Sequence, residues 1–152
     1  MAALITQAPP ESLNLIRTLW EDLNEHHRDV SIHFSPDFAA NSWQRRQSQL
    51  LQLAEQGELG LFLAREQDGG EPCGYCVATV DAGNTGEIQS IFVLPSHRGQ
   101  GLGEKLLQAA LAWLDTLNAH PITIGVVHGN ERAWALYERF GFKPRLTTLY
   151  KK

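Results

Sequence analysis

The sequence predicts an α/β chain of the α+β kind, with a twisted, mixed, mostly antiparallel sheet of about six or seven strands flanked by about four helices. Two observations point to this class. Between Glu58 and Leu94, three apolar segments rich in β-branched and aromatic residues are separated only by short glycine-bearing turns, the pattern of an antiparallel meander. A helical apolar spacing then intervenes before the next apolar segment, and a strand reached over a helical crossover pairs in parallel. The length bounds the answer further. A chain of 152 residues suits one domain with a core that stands without disulfides, so residues 1–152 are expected to form a single domain.

The elements follow in order. Residues Ala3 to Ala8 suit a short first strand. "PPESLNLIRTLWEDLNEHH" opens with two prolines and repeats Leu13, Ile16, Trp20 and Leu23 at helical spacing. "SIHFSPDFAANSW" interrupts that pattern with Pro36 and small polar residues and reads as a loop presenting Phe34, Phe38 and Trp43. A second helix runs from about Ser42 to Gln56, with Trp43, Gln47, Leu50, Leu51 and Ala54 along one side. "ELGLFLARE", "CGYCVATVD" and "EIQSIFVL" are the meander, turning at "QDGGEP" and "AGNTG". Leu102, Leu106, Ala110, Trp113 and Leu117 mark a third helix, closed by Pro121, and "ITIGVV" is the parallel strand. "ERAWALYERF" is a short helix between Asn130 as N-cap and Gly141 as C-cap, and "RLTTLYKK" is a last strand.

Composition excludes several classes. Hydrophobic residues make up 43% and charged residues 20%, with a net charge of -4, so the chain lacks the basic face of a nucleic-acid binder, and the Arg45-Arg46 pair is too small to supply one. No apolar run reaches membrane-spanning length, and the N-terminus lacks a signal-peptide layout, so no membrane partner and a cytoplasmic location are expected. Cys73 and Cys76, three apart in one strand, should point to opposite faces as reduced thiols. His26 and His27 are adjacent on a helix, about 100° apart, and cannot clasp one metal as an i, i+4 pair does. They read as a solvated or substrate-lining helix end, and no metal is expected.

"HRGQGLGEKLL" asks for a different explanation, because three glycines at a helix start cost helix stability. A Walker A loop fails: Lys105 is neither preceded by glycine nor followed by Ser or Thr. A dinucleotide fingerprint fails too, since Gly99, Gly101 and Gly103 are spaced G-x-G-x-G. The physics common to such loops survives. Glycines let successive N–H groups converge on an anion, the helix N-terminus adds partial positive charge, and Arg98 adds a full one. A pyrophosphate is the natural guest; a strand-to-helix turn that binds nothing is the alternative.

The stretch from Glu87 to Phe142 resembles the GNAT superfamily of N-acetyltransferases. The family's pyrophosphate motif, Q/R-x-x-G-x-G/A, is matched by Arg98-Gly99-Gln100-Gly101-Leu102-Gly103. Its apolar-Val-x-Pro strand end is matched by Phe92-Val93-Leu94-Pro95, and its later motif by Asn130, Ala133, Tyr137, Gly141 and Phe142. The resemblance implies acetyl transfer from acetyl-CoA to a primary amine with no covalent enzyme intermediate. It implies that the Arg98 to Gly103 backbone cradles the pyrophosphate, and that Ile91, Phe92 and Val93 pair with the pantetheine arm where the sheet splays open. Asn130 would hydrogen-bond the same arm, and the first two helices would form one wall of the acceptor site.

Tyr137 would be the general acid, touching the cofactor sulfur. A phenol stays protonated at neutral pH, although Tyr137 also fits an amphipathic stripe with Ala133 and Phe140. An alkyl ammonium needs a proton acceptor before it can attack. Glu87, where many family members carry a catalytic glutamate, is one candidate; His128 and water alone are the others. The acceptor is expected to be a small-molecule amine. A peptide or protein amine, or a non-catalytic acyl-CoA sensor, are the alternatives, and a homodimer is compatible with either.

Overall fold

The computed structural model describes residues 3–152. Its centre is a five-stranded sheet in sequential order: β1 (Leu4–Ala8), β2 (Glu58–Arg65), β3 (Pro72–Val80), β4 (Gly86–Val93) and β5 (Ile122–Ile124). The first four pair antiparallel, and β5 pairs parallel to β4 after the crossover helix α4 (Leu102–Thr116). The order α1 (Arg17–Val30), α2 (Ser35–Ala40) and α3 (Trp43–Gln56) precedes β2, and α5 (Trp134–Arg139) follows β5.

Alternation on the meander builds two cores. Leu61, Leu63, Tyr75 and Val77 face Leu13, Ile16, Trp20, Trp43 and Leu50 from the N-terminal helical segments. Phe62, Ala64, Cys76 and Ala78 face Leu102, Leu106, Leu107, Ala110 and Leu114 of α4. With helices on both faces, all nine residues of β3 are buried, which is why that strand reads as nearly continuous apolar sequence.

The structure corrects several expectations. Among the described residues there are five strands rather than six or seven, and five α-helices rather than four. The additional helix is α2, inside the segment expected to be a loop: Pro36 sits in its first turn, where a missing N–H costs nothing. Trp43 is not presented to solvent. It is 2% exposed, 5.7 Å from the Trp20 ring, and its indole N–H donates to Asn14 Oδ1 at 3.1 Å. The first helix opens as a 3-10 segment, Pro10–Ile16, before α1 begins.

"ITIGVV" pairs only over Ile122–Ile124, and "RLTTLYKK" forms no strand. A three-residue β5 offers little edge to template another strand, and Leu146, Leu149 and Tyr150 stay exposed. Cys73 and Cys76 do not face opposite ways. A register shift pairs Ala64 with Gly74 but Arg65 with Pro72, leaving Cys73 as the extra residue, and both thiols join the α4 core. A second shift on β4 pairs Val77 with Ser90 but Ala78 with Ile88, leaving Gln89 as a bulge.

Candidate active site

Strands β4 and β5 pair only where Gly86–Ile88 meets Ile122–Ile124. Beyond that point they separate, so the β5-facing edge of β4 from Gln89 to Val93 has no strand partner. The gap is a solvent-open cleft of about 70 Å³, walled by Gln89, Ser90 and Ile91 on one side and by the chain following β5 on the other. Leu23 and His27 of α1 face it, as do Asn130 and Tyr137. An extended chain laid against β4 would find backbone donors and acceptors there, as an added strand does. Of the strand residues expected to bind, Ile91 lines this cleft. Phe92 is 7% exposed and belongs to the core, so only its backbone is available, and Val93 packs against the α4 layer.

Tyr137 reaches the cleft from α5. Its ring lies 6.3 Å from that of Phe142, edge-on at 69°, and its hydroxyl has no hydrogen-bond partner among the described residues. Burial, and secondarily the nearby Cys76, pushes its phenol up to about 12. At pH 8 roughly one phenol in 10⁴ is then ionised. Asn130 also lines the cleft, but its side chain makes no capping bond. It accepts instead from His26 Nε2 at 3.2 Å, while the Glu131 carboxylate takes the Gly129 N–H at 3.1 Å.

Glu87 and His128 are not brought into the cleft lining. The Glu87 carboxyl sits above the usual range because of burial, with Arg46 pulling it back and Asp81 pushing it further up. His128 is exposed, its Nδ1 3.3 Å from Glu131 Oε1 and its ring stacked on His33 with centroids 6.1 Å apart.

The glycine loop lies between β4 and α4. Gly99 and Gly101 have φ of +79° and +77°, a region that side chains disfavour, and Gly101 is the N-cap of α4. A Cβ at either would meet nothing within 4 Å, so the loop faces open space. Gly103 has ordinary helical backbone, and a Cβ there would lie 3.5 Å from Leu136 Cδ2. No side chain caps α4, which leaves its first-turn N–H groups free for an anion, with Gln100 and Leu102 contributing backbone to the same turn. Arg98 is exposed; its Nε donates to Val93 O at 3.0 Å and its guanidinium lies 5.4 Å over the Phe92 ring. His97 holds the loop to the end of β2 through the Glu66 carboxylate. Uncapped donors, open space and an adjacent cation fit a pyrophosphate, and the unpaired β4 edge fits an extended arm.

His27, one of the two histidines that read from the sequence as a solvated or substrate-lining helix end, is part of the cleft, and burial with its neighbour His26 lowers it to about 4, so it is neutral at pH 7. One feature escaped the sequence reading. The β4 bulge is clamped from behind. Arg46 Nη2 donates to Gln89 O and Gln89 Oε1, both at 3.2 Å; Gln89 Nε2 donates to Thr79 Oγ1 at 2.9 Å; Tyr75 OH and Ser90 Oγ share a hydrogen bond of 2.5 Å. The signal for Arg46 was available: it lies three residues after Trp43 and four before Leu50, on the stripe that faces the sheet.

Compared with known proteins, residues 16–142 match the family model described as the acetyltransferase (GNAT) family. The chain is 40% identical over 85 residues to a mycothiol acetyltransferase of Acidimicrobium ferrooxidans, covering 53% of this chain and 27% of that one. It is 34% identical over 83 residues to N-alpha-acetyltransferase 30 of Schizosaccharomyces pombe, covering 53% of this chain and 55% of that one. The chain thus spans about half, or less, of the length of these curated relatives. Its fold superposes on the crystal structure of a GCN5-related N-acetyltransferase from Ralstonia eutropha JMP134 with a TM-score of 0.76, at 19% identity and 99% coverage of both chains.

Proposed function

The chain belongs to the acetyltransferase (GNAT) family, and from that premise we propose that it moves an acetyl group from acetyl-CoA to the primary amine of a small molecule. Residues 1–152 act in this reading as one domain. Acetyl-CoA supplies the activated acyl group as a thioester. The amine nitrogen attacks the carbonyl carbon directly, a C–N bond forms, the C–S bond breaks, and the thiol leaves.

The observation that carries the reading is the Tyr137 hydroxyl, a free phenol on the wall of the cleft where β4 and β5 part. A donor that stays protonated can hydrogen-bond the departing sulfur and deliver its proton, a role typically worth ~10²–10⁴ in rate. In the same reading the loop Arg98 to Gly103 holds the pyrophosphate, the β4 edge from Ile91 to Val93 holds the pantetheine arm, and the Asn130 amide donates to that arm. Glu87 receives the ammonium proton through water. Its raised carboxyl is a better base than an ordinary glutamate, though it stands outside the lining.

A small acceptor suits a narrow cleft overhung by Leu23 and His27. A peptide or protein amine is the second reading, favoured by the name of the Schizosaccharomyces pombe relative. The test is acetyl-CoA-dependent thiol release across polyamines, amino acids, aminoglycosides and peptides with free N-termini, with Tyr137→Phe alongside. The Phe variant leaves no protein partner unsatisfied, so it should fold and bind CoA while turnover falls ~10²–10⁴. Unchanged turnover would remove Tyr137 from the acid role. Release with peptides alone would replace the small acceptor by a peptide.

A further inference from the structure

Three contacts tie the C-terminal part of α1 and the residues just after it to the turn that carries Asn130. His26 Nε2 lies 3.2 Å from Asn130 Oδ1, across 104 residues of sequence. The backbone of Gly129, at φ +109°, comes so close to α1 that a Cβ there would sit 2.0 Å from Val30 O. His33 and His128 stack with their ring planes 6° apart. Only the first of these reaches a side chain in the cleft lining. An asparagine amide has an acceptor end and a donor end, and rotation about its last bond exchanges them. Asn130 makes no capping bond that would choose between the two. An oxygen only accepts, so His26 in this contact donates from Nε2, and that donation selects one orientation: Oδ1 toward α1, the Nδ2 hydrogens turned away.

We propose that His26 is a positioning residue that fixes the Asn130 side chain so that its amide N–H groups are presented to the acyl-donor substrate. The inference rests on the reading that Asn130 hydrogen-bonds the cofactor arm. His26 itself touches no substrate. Its effect is to remove a rotational choice that would otherwise be settled only on binding. Gly129 permits the contact, because any side chain there would push the turn off Val30 and draw Asn130 out of reach.

The test measures the Kd for CoA by calorimetry, with the KM for acetyl-CoA and for the amine, in His26→Ala, His26→Gln, Asn130→Ala, the double alanine variant and His33→Ala. One neutral hydrogen bond corresponds to a roughly 2–10-fold change in Kd. His26→Ala should weaken CoA binding by that factor and raise the KM for acetyl-CoA more than that for the amine. His26→Gln, which keeps a donor at similar reach, should restore it. The double variant should match Asn130→Ala alone, and His33→Ala should leave the Kd unchanged. Weakened binding in Asn130→Ala with a normal Kd in His26→Ala would overturn the positioning role. An equal loss in His33→Ala would also overturn it, since docking of the turn would then be the cause. A normal Kd in Asn130→Ala would instead refute the placement of Asn130 on the cofactor arm, and the role of His26 with it.

Discussion

Replacing Gly101 and Gly103 separately by alanine separates two reasons a glycine can stand at the start of α4. Gly101 is at φ +77° with open space around its missing Cβ, so alanine there meets no atom and strains only the backbone. That strain is about 1–2 kcal/mol. Relieving it would swing the peptide N–H groups at the helix start away from their common focus. Gly103 has ordinary helical backbone, and its Cβ would make van der Waals contact with Leu136 Cδ2 at 3.5 Å. Alanine there should gain about 0.5–1 kcal/mol of helix stability. Urea denaturation followed by circular dichroism, with CoA titration calorimetry, reads both quantities. Gly101→Ala should lose about 1–2 kcal/mol and bind CoA at least tenfold more weakly. Gly103→Ala should be as stable as the parent or more so, with a Kd within about threefold. A tenfold loss of CoA affinity in Gly103→Ala would refute the reasoning. The absent side chain, not the left-handed backbone, would then be what the ligand requires.

Further outcomes follow from the same geometry. Arg98→Ala should weaken CoA binding about tenfold or more without unfolding the chain, since its present partners are one carbonyl and one ring face; equal affinity by calorimetry would remove it from the cradle. His27 is lowered from 6.5 to about 4, so the folded chain holds fewer protons than the unfolded one between those values. Stability is therefore full above pH 6.5 and falls as the pH drops toward 4. That lowering bounds the loss at about 3 kcal/mol, and partial exposure reduces it to about 1–2 kcal/mol. Urea midpoints across that range should lose this slope in His27→Gln. Burial pushes both thiols up, so a disulfide reagent at pH 8 should find none of the two cysteines in folded protein and both after denaturation. Fast labelling of the native chain would show that the α4 core opens.

The meander, the crossover and the glycine loop were legible because their signals are local. Apolar alternation, helical spacing and punctuating glycines each lie within a dozen residues of the element they specify. What sequence reasoning lost was set at a distance. Trp43 looked exposed because its partners, Trp20 and Asn14, lie more than twenty residues upstream. The last strand failed because β5 is short, a property of pairing that its own apolar residues conceal. Cys73 and Cys76 were assigned to opposite faces by strict alternation, which an extra residue at Cys73 in the pairing of their own strand overrides. The cofactor-side residues stood out as a motif, and His26 and His27 as a helix end facing solvent or substrate, whereas Arg46 reaches the site from a helix whose sequence reads as ordinary amphipathic surface.

The extra residue in β4 makes that strand two half-strands out of phase. Before Gln89, Ile88 belongs to the α4 layer; after it, Ile91 does, and Ser90 and Phe92 belong to the layer of α1 and α3. A strand of constant parity could not give its first half to one assignment and its second half to the other. Deleting Gln89 would therefore leave a regular strand, with Ile88 still opposite Ala78 and Ser90 still opposite Val77: the side chains from Ser90 to Val93 would keep their layers, and what would be lost is the clamp that Arg46 and Thr79 place on the bulge. A deletion in the exposed turn of residues 81–84 would leave that clamp, and the cleft wall it backs, in place.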